Sequence, residues 1–453
     1  MNILSTAKDA FSWAIARLPK ETELEVYASW GRGRSLEWSE GKPEDLSEAQ
    51  GGGVGVRVIS KSGGSSGQQG FAFTTGFEKA GVEKAAENAA ASARVLPADV
   101  FRKLPRPSAR RNSFPKEILD PDAFSETSAQ VMERLKERET ACLKRFKHLK
   151  SMLRGGFSEG LGRSAVVNSN GIEEEFAGSH SSLGASFLAE KNGERQEGGF
   201  GLSRVFARDI SWDHVFDEAA ARTLALLDGK PIPTGKTPVV FDPTVAGEFL
   251  SLISGMVCAD SVQKGKSPFK GRLGETVASA LVSIVDDGAL EGGLASSPAD
   301  DEGVPTRRTP VISAGKLNAF LYDTYTALKD KTSSTGNASR GGFKSSPSSG
   351  TSNFFLEAGK TPRADILKST SGLYLYDVMG LHMADPISGD FSVAVMGARL
   401  EAGEFKEGVR GVTLAGNLLD LLKNIDAVGS DLTFFGSVGS PTFRVAGLTI
   451  SGS

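Results

Sequence analysis

The chain has 453 residues, of which 39% are hydrophobic and 24% are charged, and it carries a formal net charge of −3 with a pI of about 6.0. This balance predicts a globular protein of two domains and excludes disordered and collagen-like chains. The weak net charge and the absence of any run of about 18 apolar residues predict no nucleic-acid partner and no membrane partner. Two cysteines, Cys142 and Cys258, suit a reducing compartment, so a cytoplasmic location is expected.

Helices and strands alternate along the first 95 residues. Apolar residues at helical spacing predict an opening helix that ends at Pro19. Period-two alternation then predicts strands at 24–30 and 36–38 with a turn between them at residues 31–33, strands at 54–58 and 71–73, and a helix at 77–95. Five prolines between residues 97 and 121 predict an irregular linker.

A helix is predicted next, starting at Asp120 and Pro121 and reaching about Leu149. Two Asn-Gly pairs, at 170–171 and 192–193, each lie between strand-like runs and predict tight hairpins. After a further helix at 212–227, the Gly, Pro and Thr residues of 229–238 predict a domain boundary. The predicted domains are therefore an N-terminal one of residues 1–229 and a C-terminal one of residues 230–453.

The second half is richer in strand patterns than in helix patterns. Helices are predicted near 244–258 and 418–424, and strands within 311–317 and 442–450. The expected fold class is α+β: N-terminal antiparallel sheets with flanking helices, followed by a strand-rich C-terminal domain with few helices.

Two glycine-rich segments resemble ligand loops but have the wrong context. Residues 51–55 open a strand, whereas a dinucleotide-binding loop opens a helix. Residues 63–67 have nucleophile-elbow spacing, but they lie in a hairpin loop and not between a strand and a helix. We interpret the first as the start of a bulged strand and the second as a flexible turn, with nucleotide binding and serine catalysis as the alternatives.

Charged and metal-binding residues give no compact motif. The four histidines, at 148, 180, 214 and 382, do not pair at helical spacing, so a zinc site would have to be assembled by folding. Basic residues between 134 and 150 alternate with acidic ones, which favours a solvated helix with i, i+4 pairs over a nucleic-acid surface. The acidic clusters at 286–287 and 300–302 are interpreted as turn caps, with metal binding or acid–base chemistry as the alternative.

The second half resembles the C-terminal domain of the TldD/PmbA family, once described as modulators of DNA gyrase. The segments that carry this resemblance are residues 285–288, 294–304, 315–317, 322–327, 334–338, 388–392, 411–418 and 428–431. Weaker family patterns fall at 53–58, 70–75 and 168–171, so the resemblance extends over nearly the whole chain.

The family has two kinds of subunit, which share a fold and assemble into one metallopeptidase that cuts unfolded peptides in a closed chamber. The TldD-like kind binds zinc through a His-Glu-xxx-His helix and a late cysteine. By the resemblance, those helix positions fall on Ser254, Gly255 and Ala259, and no cysteine follows Cys258. The resemblance thus implies a PmbA/TldE-like chain with no cofactor of its own, and zinc in a TldD-like partner.

The implied function is that of a non-catalytic subunit that holds extended peptide by strand addition while the TldD-like catalytic subunit cuts it. Implied substrates are unfolded peptides, in the maturation of leader-bearing peptides and the degradation of antitoxin-like proteins, and the isolated chain is expected to form a homodimer. No catalytic residue is assigned. The family-motif residues expected to line the chamber are Asp300, Asp301, Glu302, Gly303, Thr335, Gly336 and Asn337.

Two other functions stay open. One is a stand-alone hydrolase whose acidic clusters around Asp286 and Asp300 bind a metal ion. The other is a homodimeric peptide-binding scaffold that has no peptidase partner.

Overall fold

The computed structural model describes residues 1–62, 66–109 and 113–452, with the backbone alone for Lys61, Ser62 and Ser66. Helices and strands alternate in its first half. They are α1 (Ile3–Ile15), β1 (Thr22–Ser39), β2 (Lys42–Ser62), β3 (Ser66–Thr75), α2 (Lys79–Val95), β4 (Glu117–Ile118), α3 (Ser128–Arg145), β5 (Leu149–Asn168), β6 (Glu173–Lys191), β7 (Glu194–Arg204) and α4 (Trp212–Ala225).

The second half contains more strands and shorter helices. Its elements up to residue 329 are β8 (Gly235–Phe241), α5 (Pro243–Met256), α6 (Ala259–Gln263), β9 (Ile284–Asp287), β10 (Arg308–Ser313), β11 (Lys316–Leu317) and α7 (Thr324–Lys329). Those that follow are β12 (Ala338–Ser339), β13 (Ser348–Ser349), β14 (Phe354–Leu356), α8 (Arg363–Lys368), β15 (Ser371–Met379), β16 (Asp390–Glu401), β17 (Glu404–Asn417), α9 (Leu418–Lys423), β18 (Ile425–Val428), β19 (Thr433–Phe435), β20 (Val438–Ser440) and β21 (Phe443–Ser451).

The N-terminal sheet is a half-barrel in the order β3-β2-β1-β5-β6-β4, with β7 also paired to β6. Its pairs are antiparallel except β4 with β6. All four helices pack on one face. Val26 and Val56 lie in one cluster with residues of α1 and α2, while Leu36 and Phe157 lie in another with residues of α3 and α4. Because side chains alternate along a strand, the other face of this sheet carries no α-helix in the described chain, and the short 3₁₀ helix Gly342–Lys344 contacts it at β1 and β2.

The C-terminal domain is built from two six-stranded sheets. One has the order β11-β10-β9-β14-β20-β19, and the other β17-β16-β15-β8-β21-β18. An additional pairing of β17 with β21 closes five strands of the second sheet into a barrel. Its core forms around α5, where the Phe249 ring contacts those of Phe241 and Phe391 edge to face. The expected α+β class, with antiparallel N-terminal strands and a strand-rich C-terminal domain, is confirmed.

Sequence patterns predicted turns correctly where the turn residues themselves determine the backbone conformation. Asn192 and Gly193 have φ of +52° and +83° and join β6 to β7 as a tight hairpin, as predicted. The Asn-Gly pair at 170–171 likewise separates β5 from β6. Of the loop predicted at 63–67, residues 63–65 lie outside the described chain. No helix of the described residues is long and apolar enough to cross a membrane.

Three predictions about strand and helix limits are wrong. Residues 31–33 form no turn, because β1 runs through them with β2 on one side and β5 on the other. Residues 51–55 lie inside β2 and do not start it. Helix α3 begins after Thr127, whose hydroxyl forms a capping box with Gln130, whereas Asp120 accepts a hydrogen bond from the Ala207 N–H at 2.7 Å.

Candidate functional site

The middle of the face of the N-terminal sheet that carries no α-helix is composed mainly of glycine and serine. The strand register aligns these residues in rows across β1, β5, β6 and β7. One row is Ser35, Ser158, Ser182 and Ser203, the row beside it on one side is Glu37, Gly156, Gly184 and Gly201, and a further row is Gly31, Gly162 and Gly178. We call this surface the glycine–serine face. It is a smooth wall on which an extended chain meets few protruding side chains.

Cavity A, of about 450 Å³, lies between this face and the C-terminal domain. Its floor includes Gly31 and Gly162, and Gly293, Leu294 and Ser296 of the C-terminal domain close it from above. Two half-buried phenylalanines, Phe176 and Phe343, also line it. The cavity is therefore formed jointly by sheet and C-terminal residues.

Two further cavities extend the same groove. Cavity B, of about 220 Å³, shares Phe176, Leu294 and Ser296 with cavity A and is otherwise lined mainly by polar residues of the C-terminal domain. Cavity C, of about 520 Å³, lies farther along the glycine–serine face, over Ser158 and Ser182. Cavities A and B are thus continuous, and cavity C lies on the same face of the sheet; we call the three together the groove.

The acidic motif at 300–302 caps backbone and docks the two halves. Asp300 Oδ1 accepts the N–H groups of Glu302 (3.0 Å) and Val304 (2.9 Å), and its Oδ2 accepts that of Ala338 (2.9 Å). Burial and the nearby charge of Glu302 raise the pKa of Asp300 well above its ordinary value. Asp301 accepts a hydrogen bond from the Tyr27 hydroxyl on β1 at 3.0 Å.

A buried ionic network continues this docking. Arg57 of β2 donates to Glu25 of β1 and to Glu302 at 2.8 Å, and Arg340 donates to the same Glu25. Burial opposes ionisation of Glu25, but the guanidinium groups of Arg340 and Arg57 outweigh it and hold its pKa below the ordinary value. We call these four residues, with Tyr27 and Asp301, the docking network.

The second motif segment supports the wall of cavity B. Asn337 donates from Nδ2 to Asp286 (2.6 Å), and the Thr335 hydroxyl accepts the Tyr322 N–H at 2.7 Å. Burial raises the pKa of Asp286 to about 6 despite hydrogen bonds from Ser352 and Asn337. Gly336 has φ of +77°, and a Cβ there would lie 2.5 Å from a backbone oxygen.

The structure thus brings the predicted motif residues together. Those that line cavity B are Asp300, Asp301, Gly336 and Asn337, whereas Glu302, Gly303 and Thr335 lie behind its wall. Gly303 has φ of +80°, and a Cβ on it would lie 2.3 Å from Ile172 of the N-terminal half. All of these residues serve to position the groove.

Ser254, Gly255 and Ala259 lie elsewhere, at the junction of α5 and α6. Ser254 and Gly255 are in the last turn of α5, which ends at Met256, and Ala259 opens α6. The Ser254 hydroxyl donates to the Ser251 carbonyl at 2.7 Å, and the Cys258 thiol donates to the Ser254 carbonyl at 3.3 Å. A serine hydroxyl, a glycine and an alanine methyl do not fit a zinc ion, which proteins bind through imidazole, thiolate and carboxylate.

Other sequence candidates are dispersed. Within residues 1–62, 66–109 and 113–452 no three His, Cys, Asp or Glu side chains are grouped to hold a metal ion. His180 lines cavity A, whereas His214 lies on α4. On α3, Arg138 pairs with an aspartate of α4, and Arg145 pairs with Asp217 at 2.7 Å, so these basic residues link two helices.

The sequence reasoning missed the glycine–serine face. Glycine at 31–33 and 51–55 was interpreted as a turn and as a strand start, although glycine or serine recurs at every second position between 156 and 164 and again, apart from His180, between 178 and 186. That alternation was the available signal, because period two places those residues on one face.

The fold and groove define an α+β protein with a cleft between its N-terminal sheet and its C-terminal domain, and the comparisons with known proteins identify its family. The PmbA/TldA metallopeptidase profiles match in consecutive order: domain 1 at 24–93, the central domain at 121–227 and the C-terminal domain at 234–452. The chain belongs to the PmbA/TldD metallopeptidase family.

Relatives match over most of this chain. A metalloprotease of Methanocaldococcus jannaschii is 28% identical and covers 92% of both chains. The metalloprotease PmbA of Escherichia coli O157:H7 is 29% identical over 73% of this chain and 71% of its own. The crystal structure of a candidate DNA gyrase modulator from Thermotoga maritima superposes with a TM-score of 0.88, at 26% identity and 99% coverage of each chain.

Proposed function

We propose that this chain is a PmbA/TldE-type, non-catalytic subunit that holds unfolded peptide in its groove while a TldD-like subunit, which carries the zinc, cuts it. The observation that carries the proposal is the donor set at the α5–α6 junction, where the family motif positions are Ser254, Gly255 and Ala259. None of these side chains can bind zinc or accept a proton from water.

The groove supports the peptide-holding part of the proposal. The glycine–serine face offers hydroxyl groups and bare backbone with few side chains to exclude particular sequences. Beside cavity C, β7 pairs only with β6 among the described strands. Its end at Arg204 contacts Phe434 of β19, and the rest of its second edge is available for strand addition by an extended peptide. This geometry suits an unfolded substrate and excludes a folded one by size.

The alternative of a metal site at the acidic clusters receives less support. Both oxygens of Asp286 accept hydrogen bonds from protein donors, from the Ser352 N–H (2.7 Å) and from Asn337 Nδ2. The oxygens of Asp300 accept three backbone N–H groups. These carboxylates act as structural acceptors, which matches the turn-cap interpretation.

The test is co-expression with the TldD-like paralogue of the same genome, followed by co-purification, zinc analysis and cleavage of an unstructured peptide. We expect the two chains to co-purify, and zinc and cleavage to require the paralogue. A complex whose paralogue has lost the motif glutamate serves as the control and should bind peptide without cutting it.

Three results would contradict parts of the proposal. Stoichiometric metal and cleavage by this chain alone, lost when Asp286 or Asp300 is changed, would establish the stand-alone hydrolase. Peptide binding by a homodimer that never associates with the paralogue would establish the scaffold. Absence of peptide binding in both the isolated chain and the complex would refute a peptide-holding role.

A further inference from the structure

Cavity A differs in chemistry from the rest of the groove. The part of the glycine–serine face under cavity C presents serines and the charged side chains of Glu37 and Arg154. Cavity A instead collects apolar side chains, which are Ile118, Phe176, Val205, Leu294 and Phe343. A groove that is otherwise polar therefore contains one apolar pocket.

The two phenylalanine rings of this pocket rest on bare backbone. A Cβ on Gly178 of β6 would lie 2.9 Å from the Phe176 ring, and one on Gly53 of β2 would lie 2.5 Å from the Phe343 ring. Since β2 and β6 are three strand spacings apart, about 14 Å, the rings frame the glycine floor contributed by β1 and β5. Glycine at these positions is what makes room for both rings.

The top of the pocket is fixed. Asn353 accepts the Ala295 N–H through Oδ1 (3.0 Å) and donates through Nδ2 to the Ser296 hydroxyl (2.8 Å). A Cβ on Gly293 would lie 2.7 Å from the same Asn353 side chain. The segment above the floor is thereby held against Asn353, and the pocket is preformed.

We infer that cavity A is a specificity pocket that binds one bulky apolar side chain, aromatic or branched aliphatic, of the extended peptide. This inference rests on the proposed peptide-holding function. A volume of about 450 Å³ accommodates one such side chain with its backbone, whereas a folded partner needs about 800 Å² of surface on each side. The neighbouring peptide residues lie over glycine and serine and are not selected.

The chain offers a matched pair of variants on one strand. Gly162 of β5 lines cavity A and Gly156 lines cavity C, on the same face. A Cβ added to either would have its nearest neighbour at 3.9 Å, a backbone oxygen in both cases. Gly162→Leu thus fills cavity A, and Gly156→Leu places the same side chain in cavity C at the same backbone cost.

The experiment is calorimetric titration of the full chain, or of its complex with the paralogue, with nine-residue Gly/Ser/Gln peptides that carry Phe, Leu, Ala or Glu at the centre. We expect Phe and Leu peptides to bind about tenfold or more tightly than Ala, because burying such a side chain contributes at least that factor. Gly162→Leu should abolish this preference, and Gly156→Leu should retain it.

The outcomes separate the two proposals. Equal affinities for Phe and Ala peptides, or equal loss of preference in both glycine variants, refute the pocket and leave peptide holding intact. Absence of binding by every peptide refutes peptide holding itself. If Gly162→Leu does not fold, as judged by its melting temperature, Phe343→Ala replaces it; an unchanged Phe-to-Ala ratio in that variant also refutes the pocket.

Discussion

Replacing Arg57 by methionine tests whether the docking network holds the two halves of the protein together. The Arg57 side chain is 4% exposed, and its partners Glu25 and Glu302 are 0% and 1% exposed. Methionine keeps much of the side-chain length and removes the charge. Glu25 would retain Arg340, whereas Glu302 would retain, among the described residues, only the hydrogen bond from the Thr324 N–H at 3.0 Å.

Removing one member of a buried ion pair costs about 3–5 kcal/mol, because the remaining charge stays buried and unpaired. For domains of this size that corresponds to a fall of about 6–20 °C in melting temperature. The assay is thermal unfolding followed by circular dichroism. The matched control is Arg399→Met, which breaks exposed pairs with Glu401 and Glu407 and should leave the melting temperature nearly unchanged, because exposed ion pairs contribute little to stability. Melting of both variants within about 2 °C of each other would refute the reasoning.

Two further predictions concern the wall of cavity B. Because the folded pKa of Asp286, about 6, exceeds the ordinary 3.8, its contribution to stability is fully present below about pH 4 and is lost as the pH rises through about 6. Asp286→Asn should therefore flatten the fall in the free energy of unfolding between pH 4.5 and 7.5, measured by urea denaturation, by about 2 kcal/mol, and an unchanged slope would exclude this group. Gly336→Ala should lower the free energy of unfolding more than Gly292→Ala. Both glycines have positive φ, but only a Cβ on Gly336 would contact a neighbouring atom. Equal losses of about 1 kcal/mol would contradict this prediction, because they would show that the steric contact at Gly336 costs nothing.

Elements whose conformation depends on neighbouring residues in the sequence were predicted correctly, whereas those that depend on contacts between distant residues were not. Asn192 and Gly193 set their hairpin by their own backbone preferences, so the sequence predicts it directly. The continuity of β1 through Gly31 and Gly33 depends on pairing with Gly162 and Gly160, about 130 positions away, which no local pattern reveals. Glycine at these positions leaves the surface of the sheet without side chains, whereas the local sequence pattern alone predicts a turn.

The candidate site shows the same limit. The resemblance singled out residues 300–303 and 335–337, and the structure brings both segments to one wall. What it could not supply was their partners. Glu25 and Tyr27 lie on a strand with no family pattern, and the weaker pattern at 53–58 contains Arg57 without indicating what it contacts. A buried glutamate opposite a buried arginine on paired strands has no sequence signature until the register, here Glu25 beside Arg57, is known.

The docking network and cavity A are physically coupled. Gly162 belongs to the N-terminal sheet and Leu294 to the C-terminal domain, so the width of the pocket is set by how these two halves dock. The docking network fixes that distance from the end of the same strands, through Glu25 and Arg57. Family-motif residues such as Glu302 can therefore govern peptide binding without touching the peptide. The Arg57→Met variant should accordingly lose affinity for the Phe and Ala peptides together, whereas filling the pocket at Gly162 should remove only the difference between them.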